Sequence, residues 1–132
     1  MTANILSYAP LSLGPDLAFK VCLGGRPDAV AIARLYREMA GQAEDGILNT
    51  ILDRRGAESV ADLDFYIDFF QRLRDAGIRR YRTVVIDSDA NRPHMAALAQ
   101  EAAQAVGLDA QIRHAWSEDK ARQCLQEMMA DS

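Results

Sequence analysis

Cysteine is scarce in this chain of 132 residues: only Cys22 and Cys124 occur, far apart and each inside an apolar stretch. That usage reads as buried free thiols and excludes a disulfide framework. Histidine is as sparse, with His94 and His114 isolated from each other, and a metal site needs ligands grouped at short spacing. No metal and no cofactor are expected. No run of about 18 apolar residues is available to span a bilayer. The start, MTANILSYAPLSLGPD, lacks the basic-then-apolar layout of a secretion signal. The expectation is a soluble, cytoplasmic protein. Positive charge is not in excess either: 15 basic side chains stand against 19 acidic ones, for a net charge of -4. Such a balance gives no field to attract a phosphate backbone, so nucleic acid is not an expected partner.

What is present fits one domain covering residues 1–132, long enough to bury a core of its own. DLAFKVCLGG (16–25) reads as a strand closed by two glycines. PDAVAIARLYREMAG follows as a helix, with Pro27 in its first turn, an apolar stripe through Ile32, Leu35, Tyr36 and Met39, and Gly41 as its stop. GILNTILD (46–53) is a second strand, apolar enough to be covered on both faces, and RRGAE is the loop after it. Ser59 is then the candidate N-cap of a helix through VADLDFYIDFFQRLRDAG, with Asp62 as its acidic partner three residues on. Phe65 and Phe69 widen that helix's apolar face beyond a single stripe, which leaves room for a second contact surface and a homodimer.

YRTVVIDSD (81–89) is a third strand, and PHMAALAQEAAQAVG an alanine-rich helix able to pack closely on a sheet. DAQIRHAW (109–116) is a last strand, and SEDKARQCLQEMM a last helix capped by Ser117, with Ala121, Cys124, Leu125 and Met128 inward. The N-terminal NILSYA adds a short strand pairing with residues 16–23 across a PLSLGP turn. Strands and helices in alternation, joined by short glycine-containing links, predict an α/β fold with a single-layer, mainly parallel sheet of four or five strands.

In an open parallel sheet, ligands bind at the carboxyl ends of the strands, where loops and helix N-termini converge. The pattern sends Gly24, Gly25 and Arg26 to that rim, then Asp53, Arg54 and Arg55, then Asp87, Ser88 and Asp89, and finally His114 with Trp116. A strand ending in Asp87-x-Asp89 is how some phosphoryl-transfer enzymes present an aspartate nucleophile and a second acid beside magnesium. The supporting lysine is missing, since none lies between Asp87 and Lys120, and so is the chain length for further acids and a cap. A phospho-receiver pattern fails at both ends, where CLGGR and HAWSED replace an acidic pair and a lysine. LGGRPD lacks the G-x-G-x-x-G geometry of a dinucleotide site. No nucleophile, base and orienter come together, so an enzyme is not the leading expectation.

From about residue 45 to 128, the succession ILNTILDRRGAES, RTVVIDSD and AQAVGLDAQIRHAWSEDKARQCLQEM resembles the STAS-like, or SpoIIAA-like, families of small α/β domains. Asp119, Ala121 and Leu125 stand where the branch with a closing strand and a final short helix has its ending. In the anti-sigma-factor antagonists of that fold the loop after the corresponding strand reads Asp-Ser-Ser-Gly, and a partner kinase phosphorylates its second serine. Here the stretch is Asp53-Arg54-Arg55-Gly56, with arginines at both serine positions. The resemblance thus implies a non-enzymatic binding or regulatory domain without the phosphoacceptor. A guanidinium at such a place grips a carboxylate or phosphate in a bidentate way. The candidate site is Asp53, Arg54, Arg55, Ser59, Asp87 and Asp89, and its partner a protein or a small anionic or lipid-like ligand. The bland alternative is that both arginines pair at the surface with Asp53, Glu58 or Asp62.

Overall fold

A computed structural model describes residues 4–14, 16–57, 62–87 and 93–130, apart from the side chains of Pro93 and His94. Ser59 and Asp89 lie outside the described residues. The chain opens with an antiparallel hairpin, β1 (Ile5–Ser12) on β2 (Leu17–Gly25), in register from Ile5 opposite Gly24 to Ser12 opposite Leu17. β1 is longer than NILSYA and takes Pro10, Leu11 and Ser12 out of the anticipated turn. Pro10 is tolerated because β1 is an edge strand, where a missing N–H need not break a ladder.

Helix α1 (Ala29–Gln42) starts on Asp28, whose carboxylate accepts from the Val30 N–H at 3.4 Å. Pro27 therefore precedes the cap instead of entering the first turn, and the helix runs through Gly41 rather than stopping there. The chain reverses at Asp45 and Gly46, with φ of 58° and 69°, and enters β3 (Ile47–Ala57). This strand does not end at Asp53. It continues through Arg54, Arg55 and Gly56, because β2 offers Gly24 and Gly25 opposite Gly56 and Ala57 after a register shift at Cys22. The anticipated loop is strand in its first four positions.

Helix α2 (Leu63–Asp75) is capped by Asp62, whose carboxylate accepts from the Phe65 N–H at 2.8 Å. The capping role assigned to Ser59 thus belongs to Asp62, one turn later. β4 (Arg80–Ile86), α3 (Pro93–Ala105), β5 (Asp109–Ala115) and α4 (Glu118–Ala130) complete the alternation. At the start of α4 the Ser117 Oγ accepts from the Lys120 N–H at 3.3 Å, as a cap should.

The result is an α/β fold with one five-stranded sheet in the order β1-β2-β3-β4-β5, parallel from β2 to β5. Each crossover steps to the neighbouring strand. Helices α1, α2 and α3 cover one face, through Leu35, Met39, Phe70, Leu73 and Ala102 packed on Phe19, Val21 and Leu48. Helix α4 covers the other, where Ala121, Leu125 and Met128 meet Ala18, Ile51 and Val84. Cover on both faces explains the unbroken apolar runs of β3 and β4. Each fully buried Leu, Ile or Phe contributes about 1.5–3 kcal/mol to holding these layers together. No helix among the described residues is long and apolar enough to cross a membrane.

Candidate functional site

Because β3 stays extended to Ala57, its side chains alternate between the two faces of the sheet. Leu48 and Leu52 pack with α1 to α3, and Arg54 follows them on that side; Ile51 packs with α4 on the opposite side, where Asp53 and Arg55 also point. The three charged residues of the opening motif are therefore not one cluster. They are two.

On the α4 face, Arg55 grips Asp53 in a bidentate pair, Nη2 to Oδ2 at 2.7 Å and Nε to Oδ1 at 3.0 Å. The hydrogen bonds from Arg55 hold the Asp53 carboxyl below its ordinary value. Lys20 pairs with Glu118 beside them, and that hydrogen bond moves the lysine up and the glutamate down. With Arg55 about half exposed, at 45% of its side-chain surface, this is a solvated ionic cluster whose pairs contribute about 0–1 kcal/mol each. For Arg55 and Asp53 the bland alternative is what the structure contains.

Arg54 is different. It is buried, and its Nε lies 3.3 Å from Oδ2 of Asp87, with side-chain exposures of 9% and 5%. Asp87 follows the last residue of β4, so the pair ties the carboxyl end of β4 to the neighbouring β3. Arg54 is no surface arginine, and Asp87 is held against a cation, not displayed for attack. Among the described residues, no group of three or more His, Cys, Asp and Glu side chains is placed to hold a metal ion.

The Arg54 side chain borders a cavity of about 250 Å³ between the sheet, α1 and α2. Its walls are mainly aromatic and aliphatic: Tyr36 from α1, Phe65 and Phe69 from α2, Leu52 and Ile112 from the sheet. The rings brace one another, Tyr36 edge-on to Phe69 at 4.7 Å and Phe65 stacked on Phe69 at 6.2 Å between centroids. Tyr36, Tyr66, Tyr81 and Thr83 are the hydroxyl residues of the lining. Thr50 Oγ1 lies 2.8 Å from Thr83 Oγ1 and 3.2 Å from the Tyr81 hydroxyl, so these buried groups satisfy each other. Burial, reinforced by neighbouring Tyr81, pushes the Tyr36 phenol well up, and burial raises Tyr81 as well.

Past Arg54 lies a smaller space of about 30 Å³, bordered by Asp87, Met95, Ala96 and His114. Nε2 of His114 is shut off from solvent and has no hydrogen-bond partner among the described residues. The imidazole packs against Trp116 edge-on, centroids 4.4 Å apart, while the indole itself is 56% exposed. A wider recess of about 490 Å³ runs outside, between α1 and α2, with Arg34, Arg37 and Arg72 on its rim. Arg72 is already paired with Asp68 at 2.8 Å there.

Of the anticipated site residues, the structure brings Arg54 and Asp87 together and sends Asp53 and Arg55 to the other face. The cavity wall from α2 is what the sequence reasoning passed over. Its signal was the breadth of the aromatic face: Phe65 and Phe69 pack half-buried on the core and close this space. Compared with known protein families, curated proteins and solved structures, the chain has no match.

Proposed function

We propose that this protein is a non-enzymatic binding domain of STAS-like type, which takes a small, largely apolar ligand into the cavity between α1, α2 and the sheet. The polar end of the ligand meets the Arg54–Asp87 pair. The observation that carries this reading is the cavity of about 250 Å³ bordered by Arg54, the cation of a buried ion pair. The space is partly open to solvent between half-buried Leu52, Phe65, Phe69 and Ile112, so a ligand can enter it. A dry apolar cavity of about 150 Å³ holds benzene. The space here is larger, and its walls are braced by ring-on-ring packing instead of collapsing. Support for the STAS-like part comes from the element order, a hairpin followed by strands and helices that step sequentially across one sheet.

A panel of medium-chain and aromatic compounds in a thermal-shift assay tests the reading. Saturating occupancy stabilises by about 2.7 kcal/mol at a hundredfold excess over Kd. The shift is expected to vanish in Leu52→Phe, which adds volume to the cavity wall, with the variant's fold checked by circular dichroism. If nothing in the panel raises the melting temperature, or if the shift survives Leu52→Phe, the cavity is not the site. A protein partner at the strand-end rim then replaces it.

A further inference from the structure

The chemistry of the ligand's polar end follows from the 30 Å³ space behind Arg54, on the premise that the apolar cavity is a ligand site. Arg54 and Val85 border both spaces. A volume of that size admits only one or two water-sized atoms. Such a space suits a polar group of one or two atoms better than a phosphate with four oxygens.

Charge narrows the choice further. Among the described residues lining the small space, Arg54 carries one formal positive charge and Asp87 one negative, 3.3 Å apart. A carboxylate entering beside them adds a second anion next to Asp87, and a buried charge without its own partner is unfavourable. A neutral polar group meets no such penalty.

His114 borders the same space and supplies the complementary demand. Its Nε2 is buried without a hydrogen-bond partner, and such nitrogens in native structures call for an explanation. A hydroxyl both donates and accepts, so it satisfies Nε2 in either imidazole tautomer. We infer that the cavity's ligand is an uncharged alcohol or phenol, its apolar body in the large cavity and its single hydroxyl against Nε2 of His114. Scaling from benzene in a space of about 150 Å³, the body has on the order of ten non-hydrogen atoms.

Isothermal titration of the whole protein with 3-phenylpropan-1-ol, 3-phenylpropanoate and propylbenzene tests this. The alcohol is expected to bind about tenfold tighter than either of the others, the worth of one buried hydrogen bond. In His114→Phe the alcohol should fall to the affinity of propylbenzene while propylbenzene stays as it was. The imidazole nitrogen resonances of His114 in the unaltered protein should move on adding the alcohol and not on adding propylbenzene, a readout that does not depend on the variant folding. Tightest binding of the carboxylate, an alcohol preference that survives His114→Phe, or unmoved imidazole resonances overturns the hydroxyl assignment. Equal binding of the alcohol and propylbenzene keeps the cavity as a site and removes the inference. Binding of none of the three removes the cavity reading, and the inference falls with it.

Discussion

Arg54, within β3, and Asp87, one residue past β4, face each other across adjacent parallel strands, Nε to Oδ2 at 3.3 Å, and both side chains are less than one-tenth exposed. Two charges so placed cost a large desolvation on folding, which their attraction repays only while both are present. Arg54→Ala leaves the Asp87 carboxylate buried without that cation. The expected loss is about 3–5 kcal/mol. Arg54→Met combined with Asp87→Leu removes both charges, and it is expected to recover most of the loss. Urea denaturation of the single and double variants measures this. A single variant within about 1 kcal/mol of the unaltered protein would mean that Asp87 is not held by Arg54.

The order of strands and helices was readable in the sequence, because apolar periodicity and the glycines at element ends are local signals. The end of β3 was not readable. Its apolar run stops at Leu52, yet the ladder continues to Ala57, since Gly24 and Gly25 of a strand more than twenty residues earlier lie alongside Gly56 and Ala57. That one extension decides the site. In a loop, Asp53, Arg54 and Arg55 converge; in a strand, alternation sends Arg54 into the core and its neighbours to the opposite face. The α2 aromatics were visible, but whether they filled the core or walled a cavity depended on the spacing of helices that no local pattern encodes.

Two glycines with opposite roles test the backbone account. Gly46 has φ of 69°, and a Cβ there would sit 2.8 Å from the carbonyl oxygen of Gly77. Gly46→Ala combines a strained conformation with a backbone clash, and it should cost about 1–3 kcal/mol. Gly41 lies inside α1 with nothing within 4 Å of an added Cβ. Gly41→Ala is expected to stabilise by about 0.5–1 kcal/mol, through helix propensity and a less flexible unfolded chain. Melting temperatures of the pair should move in opposite directions, and a destabilising Gly41→Ala would mean that α1 ends before that residue.

Acid stability should report on the α4 face. Arg55 holds the Asp53 carboxyl below its ordinary value, so the folded chain resists protonation that the unfolded chain accepts. The stabilisation is present above the unfolded value and is lost as pH falls through the folded one, from about pH 4 downward. Glu118, lowered chiefly by its hydrogen bond from Lys20, adds in the same direction. Asp53→Asn is expected to flatten the dependence of stability on pH below about pH 4, with its loss, up to about 1 kcal/mol, near neutrality and little change in strong acid. Denaturation midpoints across pH 2 to 7 measure it, and an unchanged acid slope would show that Asp53 does not contribute.

Arg82 provides the counterpart to Arg54, because it is just as buried and, among the described residues, no carboxylate forms an ion pair with it; Asp16 and Asp109 act on it only at longer range. Its residue is 2% exposed, its Nη1 donates to Oδ1 of Asn49 at 3.2 Å, and Nη2 has no partner among the described residues. Burial pushes the guanidinium's pKa down, which marks an environment that disfavours its charge. Asn49 keeps a second anchor of its own, from Nδ2 to the Leu17 carbonyl at 3.1 Å. Replacing this arginine takes the hydrogen-bond donor from a neutral amide oxygen, where replacing Arg54 takes the cation from a buried anion. Buried charges exchanged for apolar groups of similar volume often leave stability unchanged or raise it. Arg82→Met is expected to fall between no change and a gain of about 2 kcal/mol in urea denaturation, against the loss of about 3–5 kcal/mol for Arg54→Ala. A loss of the same size for both would mean that Arg82 also neutralises a buried acid.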